Sequence, residues 1–137
     1  MDPASANATH MVIVLCLSVA LLFFHILLQG MLATRELGSA WNAGPRDEER
    51  QPKGVLAGRA ARASKNFQET YPAFIGLLLA LGLIGDPSGV GIAGAWTWLI
   101  ARIVYIPLYL AGVPYIRSLA WLMSVVGLVV MMATLLF

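Results

Sequence analysis

The chain has 137 residues, of which 59% are hydrophobic and only 12% are charged. A soluble domain carries roughly 25% charged residues, so this composition excludes an ordinary soluble protein and indicates an integral membrane protein of one domain. The net charge of +2 is too small to indicate nucleic-acid binding. The single cysteine, Cys16, excludes an intrachain disulfide and a cysteine metal site.

Four apolar segments follow one another along the chain, and a membrane-spanning helix needs about 20 residues of this kind. They cover residues 11–33, 56–84, 90–111 and 115–137. A polar loop, 34–55, separates the first two segments, and short turns rich in glycine and proline connect the others. The pattern predicts an all-α fold over residues 1–137, an up-down bundle of four transmembrane helices.

The second segment has too few apolar residues to cross a bilayer on its own. Tyr71 to Ile84 is a helix of roughly 21 Å at about 1.5 Å per residue, whereas the hydrocarbon layer is about 30 Å thick. About six preceding residues must therefore lie at membrane depth. Asn66 and Glu69 are among them.

A polar face runs along the start of this second segment. Arg59, Arg62, Asn66 and Glu69 follow one another at spacings of three and four, which places them on one side of a helix. A charge near the bilayer centre costs about 2.5–3.5 kcal/mol, so this face must contact protein or a wet cavity. The pattern predicts an intramembrane binding site for a zwitterionic or anionic ligand.

The third and fourth segments carry a similar set of polar residues. Arg102, Tyr105 and Tyr109 share a helix face, and Arg117 and Ser118 lie near the start of the fourth segment. Arginine binds carboxylates through two hydrogen bonds, and tyrosine offers a hydroxyl and an aromatic wall. The alternative is a structural Arg–Glu pair with interfacial tyrosines. A purely structural network rarely needs four arginines for one carboxylate.

The basic residues predict the orientation in the membrane. Five of them lie in or beside the first loop: Arg35, Arg46, Arg50, Lys53 and Arg59. Loops rich in lysine and arginine stay in the cytoplasm, so we expect this loop to be cytoplasmic and both termini to lie on the opposite side.

Three stretches resemble signatures of the MAPEG family, the membrane-associated proteins in eicosanoid and glutathione metabolism. They are RAARASKNFQETYP at 59–72, ARIVYIPLY at 101–109 and PYIRS at 114–118. The family includes microsomal glutathione transferases and the leukotriene and prostaglandin synthases. The resemblance implies a homotrimer of four-helix subunits, with glutathione as co-substrate bound between neighbours near the cytoplasmic face. Arg35 matches a basic position of the family more loosely.

The resemblance also implies roles for the polar residues of the second segment. Arg62, Asn66 and Glu69 would bind the charged backbone groups of glutathione. Arg59 and Lys65 would flank them.

The later motifs supply the remaining residues that the resemblance implies. Tyr105 and Tyr109 would line the pocket, with Arg102 in support. Arg117 would be the catalytic residue that stabilises the thiolate, with Ser118 beside it. A cation near a thiol lowers the pKa of the thiol and raises the fraction of thiolate, which is the nucleophile.

Three functions are compatible with these residues. The first is a glutathione-dependent transferase or peroxidase that acts on lipophilic electrophiles from the membrane. The second is a non-catalytic protein of the same fold that binds a membrane lipid or another ligand; Arg117 favours the enzyme, because a binder needs no group to stabilise a thiolate. The third is a small cation exporter, which needs an embedded acid to exchange protons, and the first segment contains none.

Overall fold

The computed structural model describes residues 3–137 and contains five helices. They are α1 (Pro3–Leu37), α2 (Ser39–Ala43), α3 (Val55–Ile84), α4 (Val90–Ala111) and α5 (Ile116–Leu136). All of them except the short α2 are long and apolar enough to cross a membrane. The described residues form no strand, and the chain is 83% helical. The predicted all-α membrane fold is confirmed, and the protein is an integral, multi-pass membrane protein.

The helix boundaries differ from the apolar segments around α1 and the first loop. α1 begins at Pro3 and ends at Leu37, whereas the first apolar segment covers residues 11–33, and α2 lies inside the loop predicted for 34–55. At about 1.5 Å per residue, the 35 residues of α1 extend over roughly 52 Å, far beyond a hydrocarbon layer of about 30 Å. Hydropathy predicts which part of a helix lies in lipid, but it does not predict where the helix ends. Polar residues can continue the same helix into water.

The turn between α3 and α4 is ordered around a buried carboxylate. Asp86 is 4% exposed and accepts hydrogen bonds from the backbone N–H of Ile92 at 2.8 Å and from the Ser88 hydroxyl at 2.9 Å. The Asn7 side chain donates to the Asp86 carbonyl oxygen at 2.7 Å. The first turns of α1 are thereby attached to the α3–α4 turn.

Aromatic side chains pack α1, α3 and α4 together. Phe74 and Trp98 stack with their ring centroids 3.8 Å apart, and Phe67 lies against both Trp98 and His25, at 5.5 and 4.9 Å. Phe67, Phe74 and Trp98 are each 0% exposed. Such aromatic pairs contribute about 0.5–1.5 kcal/mol each. This packing determines the rotation of α3 and therefore the direction in which Asn66, next to Phe67, points.

Two glycines allow α4 and α5 to touch backbone to backbone. A Cβ atom on Gly94 would lie 2.8 Å from the Gly127 carbonyl oxygen, and one on Gly127 would lie 2.6 Å from the Gly94 carbonyl oxygen. Helices in lipid associate through such close packing, because apolar burial gives them no advantage over lipid. The contact holds α5, and with it Arg117, against the tyrosines of α4.

Candidate functional site

A cavity of about 180 Å³ opens between α3, α4 and α5, near the point where α4 ends and α5 begins. Its walls are formed by Asn66, Tyr105, Tyr109, Arg117, Ser118 and Trp121. The first five of these residues are among the site residues predicted from the sequence. The structure therefore brings together residues from three separate motifs.

A strained turn places Arg117 at the cavity. Tyr115 has φ 60° and ψ −59°, and the Ile116 N–H donates to the Pro114 carbonyl oxygen at 2.7 Å. This is a γ-turn with positive φ at its central residue, which is rare and strained for a residue other than glycine. α5 begins directly after it, so Arg117 lies in the first turn, where the positive end of the helix dipole adds to its charge.

Tyr109 lies between two guanidinium groups. The Arg62 Nε–H donates to the Tyr109 hydroxyl at 3.3 Å, and the Arg117 guanidinium carbon lies 4.8 Å from the centre of the Tyr109 ring. Neither arginine forms an ion pair with a carboxylate within residues 3–137. We call this arrangement of Arg62, Tyr109 and Arg117 the cationic wall. Two unpaired guanidinium groups beside one tyrosine favour the binding of an anionic group.

Arg102 acts on the cavity through Asn66. Its side chain is 0% exposed, and its Nη1 donates to the Asn66 Oδ1 at 2.9 Å. Its guanidinium also lies over the rings of Tyr105, at 4.8 Å, and Phe67, at 5.5 Å. A guanidinium can only donate, so the Asn66 oxygen faces Arg102 and the amide N–H₂ remains for the cavity. Arg102 does not line the cavity of the single chain, so its effect on the cavity is to position Asn66.

Glu69 provides a carboxylate close to the cationic wall. It lies on α3 three residues after Asn66 and is exposed, and its charge acts on Arg102 and Tyr105. It forms no hydrogen bond or ion pair with any other residue that the structure describes. Its carboxylate is therefore free within one chain to accept hydrogen bonds from an ammonium group.

Arg59 forms a hydrogen bond with the backbone at the end of α4. Its Nη1 donates to the Leu110 carbonyl oxygen at 3.0 Å, and the last carbonyls of a helix lack partners within that helix. A Cβ on Gly112 would lie 2.5 Å from the Arg59 Nη2, so a larger residue would displace this guanidinium, and the φ of +72° at this position also favours glycine. Arg59 therefore connects α3 to the end of α4.

Two further predicted residues lie apart from the cavity. Lys65 is exposed and makes no hydrogen bond or ion pair within the described part of the chain. Arg35 lies in a different groove, on α1. Conversely, Trp121 lines the cavity and is absent from the prediction. Its position four residues after Arg117 on α5 is the signal that could have identified it, because residues at this spacing share a helix face.

Comparison with protein families identifies the chain. The family model described as MAPEG family matches residues 14–137, nearly the whole chain. The chain belongs to the MAPEG family. Comparisons with curated proteins and with solved structures each gave no match. The resemblance seen in the sequence is thereby confirmed, and as a MAPEG protein the chain is a membrane protein of the glutathione and eicosanoid metabolism family.

The three MAPEG-like stretches meet at the same end of the bundle. Asn66 comes from the first stretch, Tyr105 and Tyr109 from the second, and Arg117 and Ser118 from the third, and all five line one cavity. Their chemistry combines cations, hydroxyl groups and an oriented amide. This is a suitable set for a ligand with carboxylates and a polar or anionic reacting atom.

Proposed function

We propose that this MAPEG protein is a glutathione-dependent transferase or peroxidase that acts on lipophilic electrophiles supplied by the bilayer. The observation that carries the proposal is the cationic wall, where Arg62 and Arg117 flank Tyr109 and neither pairs with an acid among the described residues. Glutathione has two carboxylates, one ammonium and one thiol, and each has a complementary group in or beside this wall.

The proposed binding mode assigns one ligand group to each side chain. Arg62 binds a carboxylate through two parallel hydrogen bonds. The amide N–H₂ of Asn66, oriented by Arg102, donates to a second acceptor, and Glu69 accepts from the ammonium. Tyr105 packs beside Tyr109, with ring centroids 5.3 Å apart, and forms the aromatic side of the site.

The proposed chemistry centres on Arg117. Only a few per cent of an ordinary cysteine thiol is ionised at pH 7, and the thiolate is the reactive form. The Arg117 guanidinium at the start of α5 stabilises the thiolate and lowers the pKa of the thiol. Ser118, its neighbour in the cavity, can donate a hydroxyl hydrogen bond to the sulfur. In a transfer, the thiolate attacks the electrophilic carbon of the lipophilic substrate, and the C–S bond forms as the bond from that carbon to its leaving group breaks and the leaving group departs with the electron pair. In a peroxidase reaction, the thiolate attacks an oxygen of a lipid hydroperoxide, the O–O bond breaks to release the alcohol after protonation, and the thiol of a second glutathione converts the resulting sulfenic acid to glutathione disulfide and water.

The size of the cavity supports a site shared between subunits. Pockets that enclose a small-molecule ligand have volumes of about 300–1,000 Å³, and the cavity in one chain measures about 180 Å³. One chain therefore offers an open wall. We propose that a neighbouring subunit of a homotrimer covers it, with Arg59 and Lys65 flanking the glutathione, and that the site faces the cytoplasm.

Calorimetric titration of glutathione into the detergent-purified protein tests this proposal. We expect binding by the wild type and a loss of ten- to a hundredfold in affinity for Arg62→Ala and Glu69→Ala, about 1.4–2.8 kcal/mol. Arg50→Ala removes an arginine of the first loop that lies outside the cavity, and it should bind like the wild type.

Arg117→Ala separates binding from chemistry. We expect this variant to retain bound glutathione while losing the ultraviolet absorbance of the thiolate and the turnover of an electrophilic test substrate. A well-folded wild-type protein that binds no glutathione would overturn the proposal and leave non-catalytic ligand binding as the function.

A further inference from the structure

Three buried side chains around Phe67 carry polar atoms without a hydrogen-bond partner. They are His25 of α1, which is 2% exposed, and Trp98 and Arg102 of α4, which are each 0% exposed. The atoms without a partner among the described residues are His25 Nε2, Trp98 Nε1, Arg102 Nε and Arg102 Nη2. The helices of one chain already enclose these atoms, so they stay buried when further copies of the chain assemble around it.

The Phe67 ring brings the three groups together. Its centroid lies 4.9 Å from the centroid of the His25 ring, 5.5 Å from that of the Trp98 ring and 5.5 Å from the Arg102 guanidinium carbon. The charge of Arg102 also acts on His25. An aromatic ring offers only weak contacts to an N–H group, so Phe67 does not satisfy these polar atoms.

The polar atoms around Phe67 lie at membrane depth. His25 is inside the apolar segment of residues 11–33, and Arg102 is inside α4, which is long and apolar enough to cross a membrane. A polar group without a partner is costly at this depth. Proteins commonly satisfy such groups with an ordered internal water that forms about three hydrogen bonds.

The donors and acceptors of this cluster determine what can join them. The free nitrogens of Arg102 and Trp98 can only donate, whereas a neutral imidazole has one nitrogen that accepts. Water is complementary to this set. Its oxygen can accept from two N–H groups of Arg102 while one of its own hydrogens is donated to His25 Nε2.

Glu69 is the competing partner for the free N–H groups of Arg102. Its charge acts on Arg102, but its side chain is exposed and forms no hydrogen bond with the guanidinium in this structure. The Arg102 Nε and Nη2 are buried, and His25 is buried against the same Phe67 ring. We therefore assign these donors to the side of α1.

We propose that one internal water molecule joins His25 Nε2 to the free N–H groups of Arg102, and that His25 is thereby a second positioning residue of the cavity. His25 binds the water, the water binds the guanidinium, and the Arg102 Nη1 donates to the Asn66 oxygen at 2.9 Å. The orientation of Asn66 then depends on a residue of α1. The effect on glutathione rests on the proposed function, whereas the water site does not.

Nuclear magnetic resonance of the full-length protein in detergent tests the water site without glutathione. The signal of the Arg102 Nε–H is assigned by its loss in Arg102→Met. We expect nuclear Overhauser effects from one bound water to this proton and to the ring protons of His25. We also expect slow exchange of the Arg102 Nε–H with solvent.

Two substitutions of His25 separate its hydrogen bond from its packing. His25→Gln and His25→Leu both lose the ring that packs on Phe67, but only glutamine retains a polar group that can bind the water. The Arg102 Nε–H signal should shift and exchange faster in His25→Leu, and it should stay close to its wild-type position in His25→Gln. Ser18→Ala is the matched control, because Ser18 is a buried residue of α1 that is hydrogen-bonded to the Tyr71 hydroxyl instead.

Calorimetry with glutathione tests the positioning role. His25→Leu should bind glutathione about two- to tenfold more weakly than the wild type, the effect of one hydrogen bond. His25→Gln should bind like the wild type. In an Asn66→Ala background, His25→Leu should have no further effect, because His25 acts through Asn66. If the wild type binds no glutathione, the proposed function fails, and the resonance measurements still decide the water site.

Several outcomes would overturn the proposal. A wild-type Arg102 Nε–H without a bound water would exclude the water site, even if His25→Leu does not fold. Equal changes in His25→Leu and His25→Gln would mean that the imidazole contributes only packing. A shift of the signal when gluconate replaces chloride would show an anion in place of the water. Glu69→Gln moving the signal as far as His25→Leu would make Glu69 the partner of Arg102. Unchanged glutathione affinity in His25→Leu would exclude the positioning role.

Discussion

The Arg102 Nη1–H donates to the Asn66 side-chain oxygen across 2.9 Å, and this contact decides what Asn66 can offer to a ligand. Without it, the amide could turn either its oxygen or its N–H₂ toward the cavity. With it, only donors face the cavity, so the ligand atom at this position must be an acceptor such as a carboxylate or carbonyl oxygen. Arg102 is 0% exposed and does not line the cavity. It therefore determines the orientation of the Asn66 amide from outside the cavity.

Arg102→Met should weaken glutathione binding about tenfold, or about 1.4 kcal/mol, because Asn66 loses its fixed orientation. The free energy of unfolding should change little, since a well-packed apolar side chain often replaces a buried charge without loss. Calorimetry on Arg102→Met, Asn66→Ala and the double variant measures the coupling, which we expect to be roughly 0.5–3 kcal/mol. Additive effects of the two substitutions would show that Arg102 does not act through Asn66; Arg50→Met paired with Asn66→Ala is the control for additivity.

Tyr115→Gly should raise the unfolding temperature, because glycine adopts the positive φ of this γ-turn without strain. Strain of this kind costs about 1–3 kcal/mol, and the greater freedom of glycine in the unfolded chain offsets up to about 1 kcal/mol of the gain. Tyr115 is 86% exposed, so little packing is lost. Tyr115→Ala is the matched control, since alanine retains the strain. Equal unfolding temperatures for the two variants would argue against strain at this turn.

Gly127→Ala should lower the free energy of unfolding by about 1–3 kcal/mol, the usual range for overpacking. The new Cβ would lie 2.6 Å from the Gly94 carbonyl oxygen and 2.8 Å from the Trp98 backbone nitrogen, and backbone atoms cannot move aside. Thermal unfolding in detergent measures the effect. Gly76→Ala on α3 is the control, because a Cβ there meets nothing within 4 Å, and it should be neutral or slightly stabilising.

Asp86→Ala should destabilise the protein by about 1–3 kcal/mol, because it leaves the buried N–H of Ile92 and the Ser88 hydroxyl without their acceptor. Asp86→Asn keeps one acceptor oxygen and should lose less. The comparison of both variants by thermal unfolding separates the hydrogen bonds from the charge. Equal losses would mean that the charge, and not the hydrogen bonding, holds this turn.

Cysteine labelling tests the predicted orientation in the membrane. In a Cys16→Ser background, Pro87→Cys should react with a membrane-impermeant maleimide in intact cells, because the α3–α4 turn is predicted to lie outside the cytoplasm. Ser39→Cys, in the first loop, should react only after the membrane is opened. The reverse pattern would place the cationic wall on the opposite side of the membrane.

Helical spacing predicts which polar residues share a helix face. It does not predict how deeply each side chain is buried or which conformation the connecting turns adopt. Arg102 and Tyr105 were grouped correctly on one side of α4, yet spacing alone could not show that Arg102 is fully buried behind Asn66. Burial depends on neighbouring helices, here on the ring of Phe67. The γ-turn at Tyr115 could not be predicted from the sequence either. Proline before an aromatic residue indicates a turn but does not specify a positive φ.

The contact between Gly94 and Gly127 has a mechanical consequence. Because their backbones touch, α4 and α5 cannot slide or part without losing that contact, so they must move as a single rigid body. Arg117 and the two tyrosines would then keep their mutual distances during the proposed reaction. A motion that admits a lipophilic substrate to the proposed site would then come from the parts that face this fixed pair, namely α3, with Arg62 and Glu69, or a neighbouring subunit.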